Sequence, residues 1–242
     1  MNKNYNLNFI NFSFIIPAHN EEAYISKTIN SIKKLDYPKD NLEVIVVENG
    51  STDNTHKEIM DNAPDWFKVL KINEYGVSRA KNAGIENLTF SNGWVIFLDA
   101  DTYIEKDFLT ELKNFFHKNH AKNLTCGMVS LLPYPDSKLA RVWYRFYNFA
   151  NKITKTSRSI QIIRRDLLNE IRFDEKLSFD EDTYLLKECK KYGEYFFFKT
   201  KKVFSSTRRF ERVGWIKQLF IWIYMATRSY EKKKQIKYPV LR

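Results

Sequence analysis

The sequence predicts an α/β chain: a mostly parallel central sheet flanked by helices, continued by a basic portion at the C-terminal end. Three observations carry that expectation. Short apolar runs alternate with stretches of helical spacing through the first half of the chain, which is the pattern of repeated βα units with right-handed crossovers. One run, Trp94-Val95-Ile96-Phe97-Leu98, is apolar toward both faces, as a strand inside a parallel sheet must be. It leads directly into Asp99-Ala100-Asp101, so two carboxylates ride to the carboxyl end of a central strand, where open α/β sheets bind ligands.

Each element follows from its own residues. Phe12 to Ile16 reads as a buried strand stopped by Pro17, and Ile25, Ile29 and Ile32 give the following stretch, Glu21 to Lys34, one apolar helical face. After the Tyr37-Pro38-Lys39-Asp40-Asn41 loop, Leu42 to Val47 forms the second strand. Glu48-Asn49-Gly50-Ser51 turns the chain, and Ser51, Thr52 or Asp53 caps a helix running to about Asn62. Phe67 to Ile72 is the third strand, Gly76 opens a helix reaching about Asn87, and Trp94 to Leu98 is the fourth strand. Beyond Asp101 the pattern loosens: Phe108 to His117 is helical and Cys126 to Leu132 a strand, and the prolines of Pro133-Tyr134-Pro135-Asp136 break the chain before an aromatic, basic helix from Lys138 to about Phe149. Ile160 to Ile163 and Tyr195 to Phe198 read as strands, Leu167 to Ile171 and Asp182 to Tyr192 as helices. No internal repeat or linker divides the chain, so one continuous domain is expected, its halves over 1–120 and 121–242 packed into one body.

Charge separates these halves. Residues 1–120 hold 13 Lys and Arg against 17 Asp and Glu, whereas the remainder holds 27 against 12, so the formal +11 of the 242-residue chain belongs to the second half. A basic C-terminal face suits phosphates of a membrane, a lipid-linked acceptor or nucleic acid. Nucleic acid is disfavoured, because no recognition module is evident and the first half is acidic. Cys126 and Cys189 lack metal-ligand spacing and imply no disulfide framework. Met1 to Asn11 lacks the apolar core of a signal peptide, and nothing reaches the ~20 apolar residues of a membrane span. A cytoplasmic protein, peripheral on the inner face of the membrane where its basic end engages lipid, is the expectation. Gly214 to Tyr230, apolar around most of a helix and followed by Glu231-Lys232-Lys233-Lys234, is too short to span; it either lies in a bilayer interface or packs on the domain.

Paired hard oxygen donors at Asp99 and Asp101 suit Mg²⁺ or Mn²⁺ carrying a diphosphate. Two further polar loops, Pro17-Ala18-His19-Asn20-Glu21 and Glu48-Asn49-Gly50-Ser51-Thr52-Asp53, end the first two strands and so meet the carboxylates at one sheet edge. With Gly76-Val77-Ser78-Arg79-Ala80-Lys81-Asn82-Ala83-Gly84 and the later Glu181-Asp182, these segments resemble the family 2 glycosyltransferases of GT-A fold, over nearly the whole chain. Five weak motifs in the family's order make a strong pattern.

The resemblance implies a nucleotide-binding half over 1–120, an acceptor half over 121–242, and roles residue by residue. Pro17, Ala18, Asn20 and Glu21 would line a base and ribose pocket, and Glu48, where the family usually has Asp, would accept from the base, with Asn49 and Ser51 beside it. Gly76, Arg79, Lys81 and Asn82 would belong to the diphosphate side; Lys81 stands at the family's Arg and serves as a phosphate cation without the fork, which Arg79 could supply. Asp99, Ala100 and Asp101 would face the diphosphate, with Asp101 and Asp99 on the metal. His19 reads as a structural loop residue and Asp53 as a helix cap. Asp182, beside Glu181, is implied to be the general base that takes the proton of an attacking hydroxyl in an inverting transfer; by spacing alone, helix capping is the better explanation, and only the pairing with Asp99-Ala100-Asp101 tips the balance. Arg208 and Arg209 would close over the diphosphate, against the blander reading of a solvated basic turn. The segment lacks the full Gln-x-x-Arg-Trp of processive synthases, which favours single additions, and a UDP-linked donor with a glycan or lipid-linked acceptor is expected. A nucleotidyltransferase is the rival enzyme, but it normally has a glycine-rich first loop and Pro17-Ala18-His19-Asn20 contains no glycine.

Overall fold

The structure, a computed structural model, describes residues 9–157, 159–177 and 179–235. Its first half runs β1 (Phe12–Ala18), α1 (Ile25–Lys33), β2 (Leu42–Asn49), α2 (Thr55–Asn62), β3 (Lys68–Ile72), α3 (Val77–Glu86) and β4 (Trp94–Phe97). The chain continues as β5 (Thr102–Ile104), α4 (Phe108–Lys118), β6 (Leu124–Val129), β7 (Leu132–Tyr134), α5 (Lys138–Thr154) and β8 (Gln161–Arg164). It ends as α6 (Glu181–Cys189), β9 (Glu194–Phe198), β10 (Val203–Ser206), α7 (Arg208–Val213), α8 (Trp215–Ala226) and α9 (Tyr230–Gln235). Seven strands build one sheet in the order β3-β2-β1-β4-β8-β6-β9. All run the same way except β8, which is antiparallel to both its neighbours. The sheet therefore draws strands from both sides of residue 120.

Strand alternation sorts the core onto two faces. Phe12, Phe14 and Ile16 of β1 join Ile25, Ile29 and Ile32 of α1 and Phe108 and Leu112 of α4 in the larger cluster. Ile15 points the other way, joining Val95 and Phe97 of β4 and Leu185 and Leu186 of α6. On that second face α3 lies so close to the sheet that a Cβ at Gly84 would sit 2.4 Å from a methyl of Ile15, so this position admits no side chain.

The predicted strand Cys126 to Leu132 divides into β6 and β7. Between them Ser130 leaves the sheet, its hydroxyl donating to the Thr200 carbonyl at 2.6 Å and accepting from the Thr200 amide at 2.8 Å. The segment expected to be a proline break carries β7, which with β5 and β10 forms a second, three-stranded sheet. Pro133 is tolerated there because β7 is an edge strand and only one of its sides needs amides. The aromatic, basic helix runs five residues past its expected end and stops where Lys155 takes a left-handed φ of 53°. Cys126 and Cys189 are buried free thiols. Among the described residues, no helix is long and apolar enough to cross a membrane.

Candidate active site

The carboxyl ends of β1, β2 and β4 open into a cleft whose far wall is built by α5, α6, β10 and α7. The loops on the sheet side brace one another. Asn49 donates from Nδ2 to the Ala18 carbonyl at 2.9 Å and accepts on Oδ1 from the Gly76 amide at 3.1 Å, which ties β1, β2 and the start of α3 together. Asn20, at a left-handed φ of 53°, donates its amide to the Ser51 hydroxyl at 3.1 Å and accepts from the Thr52 amide at 2.8 Å. His19 lies over Tyr75 with ring centres 4.3 Å apart, its Nδ1 2.8 Å from the Asn49 carbonyl. The N-cap position of α2 is held by Asn54 rather than by Asp53, which stands one residue earlier and accepts from the Thr55 amide at 2.9 Å. Glu48 is buried: Oε1 accepts from the Ser51 amide at 2.6 Å, while Oε2 has no hydrogen-bond partner among the described residues.

Two buried cations organise the acidic groups. Lys81 of α3, 2% exposed, reaches across the cleft floor to α6 and donates to Asp182 Oδ1 at 2.5 Å and Glu181 Oε1 at 3.4 Å. Burial opposes its charge, yet Asp182, Glu181 and Asp99 together hold its ammonium well above the ordinary lysine value. Burial, with the Glu181 and Asp99 carboxylates, also pushes Asp182 well above the usual carboxylate range, against the pull of Lys81. Arg208, at the start of α7, donates from Nη2 to Glu21 Oε1 at 2.5 Å and Asp101 Oδ2 at 2.9 Å, with its guanidinium 4.5 Å from the ring centre of Tyr24. Its desolvation is likewise outweighed by Asp101 and Glu21, so it stays charged. The cleft thus holds alternating carboxylates and cations from segments more than a hundred residues apart in the chain.

The structure brings together Pro17, Asn49, Lys81, Asp99, Ala100, Asp101, Glu181, Asp182, Arg208 and Arg209 as cleft-lining residues. Other site expectations land elsewhere. Arg79, expected to offer a fork to phosphate, is half exposed and pairs with Glu74 and Glu175, because it leaves α3 on the side away from the buried face that holds Lys81. Asn82 is spent on the 173–175 segment, exchanging hydrogen bonds with the backbone of Phe173 at 3.0 Å and donating to Glu175 at 3.0 Å. Glu21 lies beneath Arg208 rather than in an open base pocket, and Ala18, Asn20 and Ser51 serve the loop contacts above. For Arg208 a solvated basic turn is ruled out, since its side chain is only 9% exposed.

Sequence reasoning missed the aromatic wall. Tyr144 and Tyr147 of α5, Phe210 of α7 and Trp222 of α8 line the cleft, and Tyr144 donates to the Ser205 and Ser206 carbonyls at 3.2 and 3.1 Å. It missed Lys233 as well, which reaches back from α9 to Asp180 Oδ2 at 2.6 Å in a buried pair beside the Glu181-Asp182 turn. Tyr230 of α9 joins it by donating to Asp174 and packing on Tyr184 at 4.6 Å.

Among the described residues no three metal-ligating side chains converge. Asp99 and Asp101 both line the cleft, and Asp101 spends Oδ2 on Arg208; a hard divalent cation is ordinarily held by one or two carboxylates and completed by substrate phosphates and water rather than by an all-protein cage, a donor set these two residues could supply.

The profile of the family described as Glycosyl transferase family 2 matches residues 13–171. Among curated relatives, the poly(ribitol-phosphate) beta-N-acetylglucosaminyltransferase TarS of Staphylococcus aureus is 31% identical over 179 residues, which cover 71% of this chain and 31% of the relative. The chain thus spans about a third of that relative's length. In structure, TarS 1-349 of S. aureus in complex with UDP-GlcNAc superposes with a TM-score of 0.65 at 22% identity, covering 94% of this chain and 70% of the other. The mannosyltransferase PcManGT of Pyrobaculum calidifontis, in complex with GDP-Man and Mn²⁺, gives 0.61 at 20% identity, covering 95% and 68%. At those identities the structural likeness establishes the fold, a GT-A glycosyltransferase fold.

Proposed function

Since this chain belongs to glycosyl transferase family 2, we propose that it transfers a sugar from a UDP-linked donor to a hydroxyl of a cell-envelope glycan, with inversion at the anomeric carbon. The observation that carries the reading is the meeting of Asp99 and Asp101, from the end of β4, with Asp182, from the start of α6, across one cleft. A leaving diphosphate needs positive charge on one side of the sugar and an attacking hydroxyl needs a base on the other. Support for the uridine lies in a fold neighbour that carries UDP-GlcNAc and in Glu48, which keeps an unpartnered Oε2 suited to an imide N–H although it is buried and does not itself line the cleft.

Asp99 and Asp101 would hold Mg²⁺ or Mn²⁺ against the donor, and when bound such an ion offsets the charge gathering on the leaving diphosphate. The chain's own cations share that work: Arg208, fixed by Glu21 and Asp101, and Arg209 beside it in the cleft wall present guanidinium groups to phosphate oxygens. The acceptor oxygen attacks the anomeric carbon as the bond to the diphosphate oxygen breaks, and the hydroxyl proton passes to the Asp182 carboxylate. Burial and the neighbouring Glu181 and Asp99 carboxylates raise Asp182 above the usual carboxylate range and so increase its basicity. Lys81, donating to Oδ1, fixes its orientation and leaves Oδ2 for the proton. Tyr144, Tyr147 and Trp222 give the acceptor side flat apolar surfaces on which sugar rings pack. A lipid-linked acceptor and a site of action on the inner face of the cytoplasmic membrane belong to the same proposal.

The test is Asp182→Asn, near-isosteric and inside α6, whose N-cap position is held by Asp180. Turnover should fall about 10²–10⁴-fold, the usual loss when a general base is removed, with donor affinity kept. Proton NMR of the product should show an inverted anomeric centre; retained configuration or undiminished turnover in the variant would overturn the mechanism.

A further inference from the structure

We infer that α5 and α8 together form a docking face for an anionic lipid bilayer, an inference that deepens the membrane site of action proposed above and is argued from the outer surface of these two helices rather than from the cleft. α5 has two apolar sides. Ala140, Tyr144, Tyr147 and Asn151 face the protein, whereas Leu139, Val142, Phe146, Phe149 and Ile153 are each half or more exposed on the opposite side. At about 100° per residue these five fall within an arc of roughly 80°, one continuous stripe along a helix about 25 Å long. α8 lies alongside, joined through Trp143 with Trp215 at 5.6 Å and Tyr147 with Trp222 at 5.8 Å. It exposes Ile216, Phe220, Ile223 and Tyr224 in a second stripe. A soluble surface rarely gathers so many large apolar side chains without a partner.

Charge identifies the partner. α5 and α8 carry Lys138, Arg141, Arg145, Lys152 and Lys217, all exposed, and not one Asp or Glu between them. On α5 the four basic residues fall in an arc of roughly 60° that borders the apolar stripe. An apolar stripe flanked by cations is the pattern of a helix lying in the headgroup layer, with its stripe among acyl chains and its cations on lipid phosphates. Neither helix can span, so contact is in the plane of the surface. The inner sides of the same two helices, through Tyr144, Tyr147 and Trp222, line the cleft, so bilayer and cleft would lie one helix thickness apart.

Flotation of the full chain tests this, with vesicles of phosphatidylcholine alone and of equimolar phosphatidylcholine and phosphatidylglycerol, at low and high salt. Two variants accompany it, Val142→Ser/Phe149→Ser and Arg145→Gln/Lys152→Gln, altered only at exposed positions outside the cleft and checked by circular dichroism for the parent's helicity. The parent should float with anionic vesicles at least tenfold better than with neutral ones and lose that binding in high salt. Removing two basic residues should weaken partition on the order of 30-fold, from the usual contribution of each near an anionic surface, and the apolar pair should also weaken it. Absence of binding to anionic vesicles, or flotation of the Val142→Ser/Phe149→Ser protein equal to the parent, overturns the proposal. So does a dimer, seen by sedimentation velocity, that this variant dissolves while vesicles capture neither protein, since the face would then join copies of the chain. UDP binding measured on the same proteins reports on the cleft separately, and its absence would unseat the sugar-transfer reading while leaving the vesicle result intact.

Discussion

Replacing Lys81 by Met keeps most of the side-chain volume and removes one charge from beneath the cleft. The ammonium lies 2.5 Å from Asp182 and 3.4 Å from Glu181, with side-chain exposures of 2, 9 and 11%. At an effective dielectric constant of about 20 those separations correspond to roughly 7 and 5 kcal/mol of attraction, a gross sum that desolvation of the three groups largely offsets. Breaking such a buried pair from one side typically costs about 3–5 kcal/mol, because the carboxylates stay behind uncompensated. For a chain of this size that means a thermal midpoint lower by about 6–20 °C. The loss depends on pH with a definite sign. Asp182 already has a folded-state pKa above its unfolded value, and without Lys81 it should rise further. A carboxylate so raised takes up a proton on folding, so its penalty grows as pH climbs from the unfolded pKa through the folded one. Lys81 itself, raised above an ordinary value of 10.5, contributes fully at any pH below that value and loses its contribution only above it. The deficit of Lys81→Met should therefore be larger at pH 8 than at pH 5, read from urea unfolding of both proteins at both pH values. A deficit below about 1 kcal/mol at pH 8, or one that does not change with pH, would refute this account of the cleft floor.

Arg208→Gln leaves Glu21 and Asp101 facing each other and should lower stability by about 3–5 kcal/mol; an unchanged midpoint in calorimetry would mean the pair contributes nothing. Glu48→Gln replaces an acceptor by a mismatched donor and should weaken UDP binding by about 1–3 kcal/mol, and an unaltered dissociation constant by titration calorimetry would place the base elsewhere.

The first four strands were legible because each is bounded by turn residues, the first three are followed by a helix with an apolar face, and β4 is apolar without a break. β5 and β7 were not, since strands of three residues carry no period and β7 contains Pro133, which argues against a strand except at an edge, while β10, Val203-Phe204-Ser205-Ser206, lacks the unbroken apolar run of the equally short β4. Within the site, Asp99 and Asp101 could be read from their place after β4, because a strand fixes where its end points. The partners of the acidic groups could not: Lys81 meets Asp182 across 101 residues and Arg208 meets Glu21 across 187. Local pattern says nothing about contacts that only sheet order creates. The same holds for Arg79 and Lys81, two residues apart on one helix, where burial of a single face sends one to solvent and the other to the cleft floor. The outward stripe of α5 was hidden because its buried face is also aromatic, and a helix apolar on two sides reads simply as aromatic-rich.

A metal-assisted nucleotide-sugar site at Asp101 is tested by thermal unfolding of the parent and Asp101→Ala with UDP-GlcNAc, in Mn²⁺ and in EDTA. Donor at 100 times its dissociation constant should add about 2.7 kcal/mol of stability to the parent in Mn²⁺, and little in EDTA or to the variant. Equal stabilisation in Mn²⁺ and EDTA, or in parent and Asp101→Ala, would contradict such a site.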